Sequence, residues 1–409
     1  MWPPVRDRMT SKTQFPAGGH LFDAEDYTSW SRALHRLKPL PAEARVLFES
    51  TISEPSDLLA ATIRTAFGDG PPSSFESVFG SGNQRLIRSI GARYGANPEQ
   101  IVCTTGASSA ILMVARAFLS NGGHVLVERP HLDLLAHLPQ SLGAEVTTFE
   151  RSADCASIDP DELRRAIRPD TKLIILTNPH NPSGVLLSEQ ALARIANVAD
   201  EFGVPVLVDE VYWDFVHDTG APIAARVAPC FISVNSLSKV YGLYSLRCGW
   251  IIAEPTTARL IENANARIEF GVSKLTHAVA VEVLDHINEF EAHWREILSV
   301  NRPVVEEQVA AMQANELIHG DLPVHGCMYF PEIVGCGDTR TLAKELWSKH
   351  GLLVAHGEFF ERAGHLRIGF GDDRAGLADG LARLRLALKA GRDGQARPAP
   401  GGRQTAAQA

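Results

Sequence analysis

The chain has 409 residues, 45% of them hydrophobic and 21% charged, with a formal net charge of -9. That length exceeds one simple core and predicts two domains, and the acidic balance argues against general nucleic-acid or anionic-membrane binding. No apolar stretch approaches the roughly 20 residues of a membrane span, and the N-terminal Met1-Trp2-Pro3-Pro4-Val5-Arg6-Asp7-Arg8 has no apolar signal-peptide core, so a soluble, cytoplasmic protein is expected.

The first twenty or so residues carry little pattern, and residues 1–45 are expected to form an N-terminal arm. Ile101 to Thr104 reads as a strand and Ala107 to Leu119 as a helix. A strand at His124 to Val127, a helix near Leu132 to Leu142 and a strand at Glu145 to Phe149 follow. Asp159 and Pro160 open a helix that runs to Ile167. Lys172 to Leu176 is a continuous apolar strand. Ser188 caps a helix to about Phe202, and Gly203 ends it. Val204 to Val208, Cys230 to Val234 and Gly249 to Ala253 are further buried strands.

Apolar strands separated by helices predict an α/β fold with a mostly parallel sheet between helices. Such sheets bind ligands at the carboxyl ends of their strands. Past Pro255 a long helical stretch runs to about Met312. Strands at Pro323 to Phe330, Gly351 to Val354 and His365 to Phe370 follow, with helices at Leu342 to His350 and Gly376 to Ala390. The expected division is a large domain over 46–285 and a smaller α+β domain over 286–390 that includes part of the N-terminal segment. Residues 391–409, rich in Gly, Pro, Ala, Gln and Arg, are expected to be a disordered tail. The six cysteines form no C-x-x-C pair, which points to neither a zinc ribbon nor a redox motif, and no metal site is expected.

Four segments carry polar groups at or just after predicted strand ends. They are Thr104-Thr105-Gly106-Ala107-Ser108-Ser109, Asn178-Pro179-His180-Asn181-Pro182-Ser183-Gly184, Asp209-Glu210-Val211-Tyr212, and Ser236-Leu237-Ser238-Lys239 with Arg247 beyond it. Gly106, Ala107 and Ser108 open a helix whose free amides favour an anion. The hydroxyls of Ser236 and Ser238 and the guanidinium of Arg247 donate to phosphate. Asp209 ends an apolar strand, where a carboxylate needs a partner. Lys239 can form a Schiff base with a carbonyl cofactor, and its neutral amine can act as a general base. Arg367, inside His365-Leu366-Arg367-Ile368-Gly369-Phe370, is an arginine in an apolar strand and requires an anion. Taken singly, each has an ordinary role: a surface lysine, a helix cap, a core tyrosine, a turn asparagine, an internal salt bridge.

Together and in this order, over roughly residues 45 to 390, the segments resemble the class I/II aminotransferases of fold type I. The resemblance implies pyridoxal 5′-phosphate as cofactor, with Lys239 as its Schiff-base residue. It further implies that Asp209 faces the pyridine nitrogen, that Tyr212 and Asn181 bond the phenolic oxygen, and that Gly106, Ala107, Ser108, Ser236, Ser238 and Arg247 hold the phosphate. Arg367 would grip the substrate α-carboxylate beside Asn181. The substrates would be an amino acid and a 2-oxo acid, the assembly a homodimer, and the outcome amino-group transfer. Elimination, decarboxylation or cyclisation of an amino acid is the alternative, because a carbanion at Cα is common to several of these reactions. A cofactor-binding regulator without turnover is a third reading, opposed by the acidic chain.

Two departures stand out. Pro130-His131-Leu132 places Leu132 where the family stacks an aromatic ring, so either His131 or an aliphatic group packs on the cofactor. Ser77, Phe79 and Ser81 occupy the region from which family members often lend a tyrosine to the partner's phosphate.

Overall fold

The computed structural model describes residues 22–36, 39–70, 82–268, 271–372 and 374–395. Ser77, Phe79, Ser81 and the first 21 residues lie outside these ranges. The central element is a seven-stranded sheet. Its strands are β1 (Ile101–Thr104), β2 (His124–Arg129), β3 (Glu145–Glu150), β4 (Thr171–Thr177), β5 (Val206–Asp209), β6 (Phe231–Ser236) and β7 (Gly249–Ile252). Their spatial order is β1-β7-β6-β5-β4-β2-β3. All run parallel except β7, which is antiparallel to both neighbours. The link from Ser236 to Gly249 holds only a 3-10 turn, Tyr244–Leu246. A parallel return needs a longer crossover, usually a helix, so the chain doubles back instead.

Alternate residues of each strand face opposite sides. In β4, Leu173 and Ile175 enter one core while Ile174 and Leu176 enter the other. The first core is roofed by helices Ala107–Phe118 and Pro255–Asn265 through Ala110, Ile111, Val114, Ala258 and Ile261. The second is roofed by helix Glu189–Phe202 through Leu192, Ile195, Ala196 and Ala199. Burying each such Leu or Ile contributes about 1.5–3 kcal/mol, which explains continuous apolar strands in a two-faced sheet. Local signals set the helix ends. The Ser188 hydroxyl accepts from the Ala191 N–H at 3.2 Å, and Gly203 turns the chain at φ 65. The Asp159 carboxylate accepts from the Asp161 N–H.

A smaller antiparallel sheet has the order Met328–Tyr329, Leu366–Gly369, Ala355–His356. The expected strand from Pro323 to Phe330 shrinks to Met328–Tyr329. Pro323 has no N–H to donate, and Gly326 adopts φ 82, so the ladder starts only beyond them. The long helical stretch divides into Pro255–Asn265, Lys274–Asp285 and Ile287–Ala314. The last helix, Arg374–Gln395, passes Gly391, where the tail was expected to begin. The Arg392 guanidinium donates to the Asn315 carbonyl and anchors that turn, offsetting the cost of the glycines.

Three helices before β1 escaped the sequence reading: Tyr27–Arg36, Ser56–Ala66 and Gln84–Tyr94. Between the first two, residues 45–53 cross from one sheet to the other. Arg45–Val46 pairs parallel with Leu352–Leu353. The Gly369 N–H donates to Leu47 O, Ser53 N–H to Gly371 O and Ile52 N–H to Lys239 O. This connector brings the small sheet against the strand ends of the large one.

Candidate active site

The carboxyl ends of β1, β4, β5 and β6 lie at one edge of the large sheet, and each delivers one of the four polar segments. At the first, Gly106 precedes helix Ala107–Phe118 at φ 81, and the opening amides of that helix have no intrahelical acceptor. Arg247 reaches over this turn, donating to Thr105 O at 3.4 Å. A Cβ at Gly106 would lie 2.6 Å from its Nη2. Ser236 and Ser238 flank the same place. The Ser238 N–H donates to Ser236 Oγ at 3.3 Å, while Ser238 Oγ is buried with no partner among the described residues. A guanidinium, an orphaned hydroxyl and helix amides around a glycine form a donor set that fits a phosphate.

Next to it, Asp209 is buried at the end of β5, and among the described residues its carboxylate accepts one hydrogen bond, from the Val211 N–H at 3.2 Å. Burial pushes its carboxyl up to about 6, against the pull of that N–H and of Lys239. Tyr212 is buried, its hydroxyl paired with Ser50 Oγ at 2.9 Å. Burial raises its phenol, opposed by Arg367. The Asn181 side-chain oxygen accepts from Arg367 Nη1 at 2.9 Å. An acid, a phenol and an amide thus line the floor of the site. His131 is buried with Nδ1 unbonded, whereas Leu132 is half-buried against the main core. Burial lowers the His131 pKa, so the neutral ring is favoured.

Lys239 follows β6, its Nζ 3.2 Å from Thr51 Oγ1. Burial lowers the pKa of its amine, with Glu49 acting in the opposite direction. Arg367 is buried in the facing strand. Its Nη2 donates to Phe48 O at 3.0 Å, and its Nε has no partner among the described residues. The guanidinium carbon lies 4.5 Å from the Tyr27 ring centroid and 4.8 Å from that of Phe360, a cation against two adjoining rings whose centroids are 5.8 Å apart. No helix among the described residues is long and apolar enough to cross a membrane.

Sequence reasoning missed Tyr27, Glu49, Ser50, Thr51, Cys327 and Phe360. Asp133 accepts from the Thr28 N–H at 2.8 Å and so places Tyr27 over Arg367. The buried Cys327 thiol is within the fields of Lys239 and Arg367. The signal available for this wall was weak. Glu49-Ser50-Thr51 is a polar run after Val46-Leu47-Phe48, and it could have been read as another strand end.

The profile of aminotransferase class I and II matches residues 71–384. Capreomycidine synthase from Streptomyces vinaceus is 28% identical over 322 residues, 78% of this chain and 80% of that protein. A crystal structure of a PLP-dependent aminotransferase from Streptococcus suis superposes with a TM-score of 0.75 at 27% identity, covering 85% of this chain and 94% of the other. The PLP-dependent cyclase OrfR shares the fold, with a TM-score of 0.73 at 23% identity over 95% of this chain and 99% of its own. With the profile spanning most of the chain, the protein belongs to the class I and II aminotransferases, the pyridoxal-phosphate-dependent enzymes of fold type I.

Proposed function

We propose that this protein transfers an amino group between an α-amino acid and a 2-oxo acid. The observation that carries the reading is the meeting of Arg367 and Lys239 at one site, a guanidinium whose Nε has no partner among the described residues and an amine whose pKa burial lowers. Arg367 has five N–H groups, and two are taken by Asn181 and Phe48. The remaining ones, Nε included, can receive a carboxylate in the bidentate manner that an arginine fork favours.

The residues divide the work as follows. Ser236, Ser238, Arg247 and the amides of Gly106, Ala107 and Ser108 would hold the phosphate of pyridoxal phosphate. Asp209 would face the pyridine nitrogen, and Tyr212 and Asn181 the phenolic oxygen. When bound, the cofactor supplies an electron sink for the bonds at the substrate Cα. Lys239 would carry the cofactor's carbonyl carbon, and its free amine would take the proton from the substrate Cα. Burial favours the neutral lysine that this step requires. The same lysine would hold that proton for its return. Arg367 fixes the carboxylate, so that the Cα–H bond is aimed at Lys239.

A second reading, cyclisation or elimination at the same site, draws support from capreomycidine synthase and OrfR. It shares the Cα deprotonation and differs in where the amino group ends. Incubation of the enzyme with single amino acids and a 2-oxo acid separates the two. Amino-group transfer yields a new amino acid and a new 2-oxo acid in equal amounts. A cyclised product, or ammonia without a new amino acid, would replace the first reading by the second.

The proposed assembly is a cytoplasmic homodimer of two-domain subunits. Exposed Tyr244 and Leu275, beside the Arg247 turn, give an apolar surface that a second copy would cover. Light scattering at micromolar concentration tests it, and a fully active monomer would refute it.

A further inference from the structure

Residues 48–51 form one wall of the site. Phe48 O takes Arg367 Nη2 at 3.0 Å, Ser50 Oγ meets the Tyr212 hydroxyl at 2.9 Å and Thr51 Oγ1 meets Lys239 Nζ at 3.2 Å. Glu49 sits among these three contacts. Its backbone is pinned by the facing strand, because a Cβ at Gly369 would overlap the Glu49 carbonyl. The side chain is half-buried. Among the described residues it makes no hydrogen bond and no ion pair within 4.0 Å. Its charge nevertheless reaches the site. After burial, Glu49 is the strongest influence on Lys239, and it also acts on Tyr27, the ring that covers Arg367.

The cations at this wall are Lys239 itself, on which Glu49 acts, and Arg367, which acts on both Lys239 and Tyr27. In the proposed reaction both are engaged. Lys239 works as a neutral base, and Arg367 is taken by the α-carboxylate. Glu49 is then left as a half-buried anion without a partner, a costly state unless the substrate brings the missing charge. An acidic side chain would place a second anion beside it. We infer that Glu49 is a specificity-determining residue that selects amino acids whose side chain ends in a cation, a guanidinium or an ammonium. The inference rests on the reading of Arg367 as the carboxylate anchor.

The test uses the holoenzyme and three acids without an α-amino group: 5-guanidinopentanoate, hexanoate and adipate. Each offers a carboxylate to Arg367 and none can be turned over, so calorimetric Kd values report recognition alone. A charged hydrogen bond of this kind predicts a Kd for the guanidino acid roughly 10- to 100-fold below that of hexanoate, with adipate weakest. In Glu49→Gln the ratio of guanidino acid to hexanoate should fall towards one, and in Glu49→Asp it should be intermediate. If Glu49→Gln does not fold, as judged by cofactor absorbance, the Asp variant decides. Equal Kd values for guanidino acid and hexanoate, tighter adipate, or a ratio that survives both substitutions would overturn the inference. The underlying reading fails separately: hexanoate binding that is indifferent to Arg367→Ala would remove the carboxylate anchor itself.

Discussion

Glu128 and Asp209 are two buried carboxylates at the same edge of the same sheet, and their surroundings differ completely. Glu128, near the end of β2, receives Arg151 Nε at 2.5 Å and both the N–H and the hydroxyl of Thr177 at 2.6 Å. Arg151 completes the cluster by donating to the carbonyls of Cys155 and Thr177. The Asp209 carboxylate, at the end of β5, has the Val211 N–H alone among the described residues. The first charge is closed by its own chain and ties β2 to β4. The second has no such closure among the described residues. Lys239 and Arg367 belong with Asp209, since among the described residues Nζ of the one has a single hydroxyl and Nε of the other has no partner. Buried charge is tolerated when paired, so the unpaired set marks where a ligand is expected.

The largest expected effect tests the open set. Lys239→Ala should lower turnover by about 10^4-fold or more, the upper range of what a positioned base supplies. Borohydride should no longer fix cofactor to the chain. Labelling at another lysine in the unaltered protein would end the assignment.

The closed set should respond through stability. Arg151→Ala leaves Glu128 buried and unpaired, at a cost of about 3–5 kcal/mol, read as a lower urea midpoint. An unchanged midpoint would break the comparison at its structural end.

Arg367→Ala should lower kcat/KM roughly 30- to several-thousand-fold, corresponding to about 2–5 kcal/mol for a lost partner of a buried charge pair. Arg367→Lys should recover part of this, lacking the fork. Cofactor absorbance should persist in both, because Arg367 stands apart from the phosphate cradle. Loss of cofactor or of fold would instead make Arg367 a structural residue.

The smallest effect has the opposite sign. The Asp209 carboxyl is raised from the ordinary 3.8 to about 6 by burial. The folded apoenzyme therefore holds that proton more tightly than the unfolded chain. Stability is lost as pH rises from about 4 to about 6, and the penalty is complete above that range. At about 1.4 kcal/mol per unit it amounts to roughly 3 kcal/mol. Asp209→Asn apoenzyme should accordingly melt above the unaltered apoenzyme at pH 7.5, and the gain should vanish towards pH 4. The same variant should slow Cα deprotonation, because a pyridine without its acid partner is a poor electron sink. A variant that melts lower at pH 7.5 would show that Asp209 is satisfied by the fold after all.

Local chemistry made one half of the site legible. Each of Asn181, Asp209, Tyr212 and Lys239 sits within a few residues of the end of an apolar strand, and the burial that defines the strand also places its last polar group. Ser188, Gly203 and Asp159 are readable for the same reason, since a cap acts on the next turn. The reversed β7 was not readable, because apolar content marks a buried strand without marking its direction. Arg367 was conspicuous as a charge in an apolar strand, but its neighbours were not. Phe48 and Asn181 lie 319 and 186 residues from it in sequence.

Tyr27, Glu49, Thr51 and Phe360 gain their place only when the connector 45–53 lies between the two sheets and the first helix is tied to Asp133. No periodic pattern announces such contacts, since each depends on packing between elements that the chain brings together from its two ends. The sequence by itself therefore determined the strand-end groups and the family to which they point. The tertiary structure decided what faces them: an arginine against two adjoining rings, and a glutamate with no partner among the described residues.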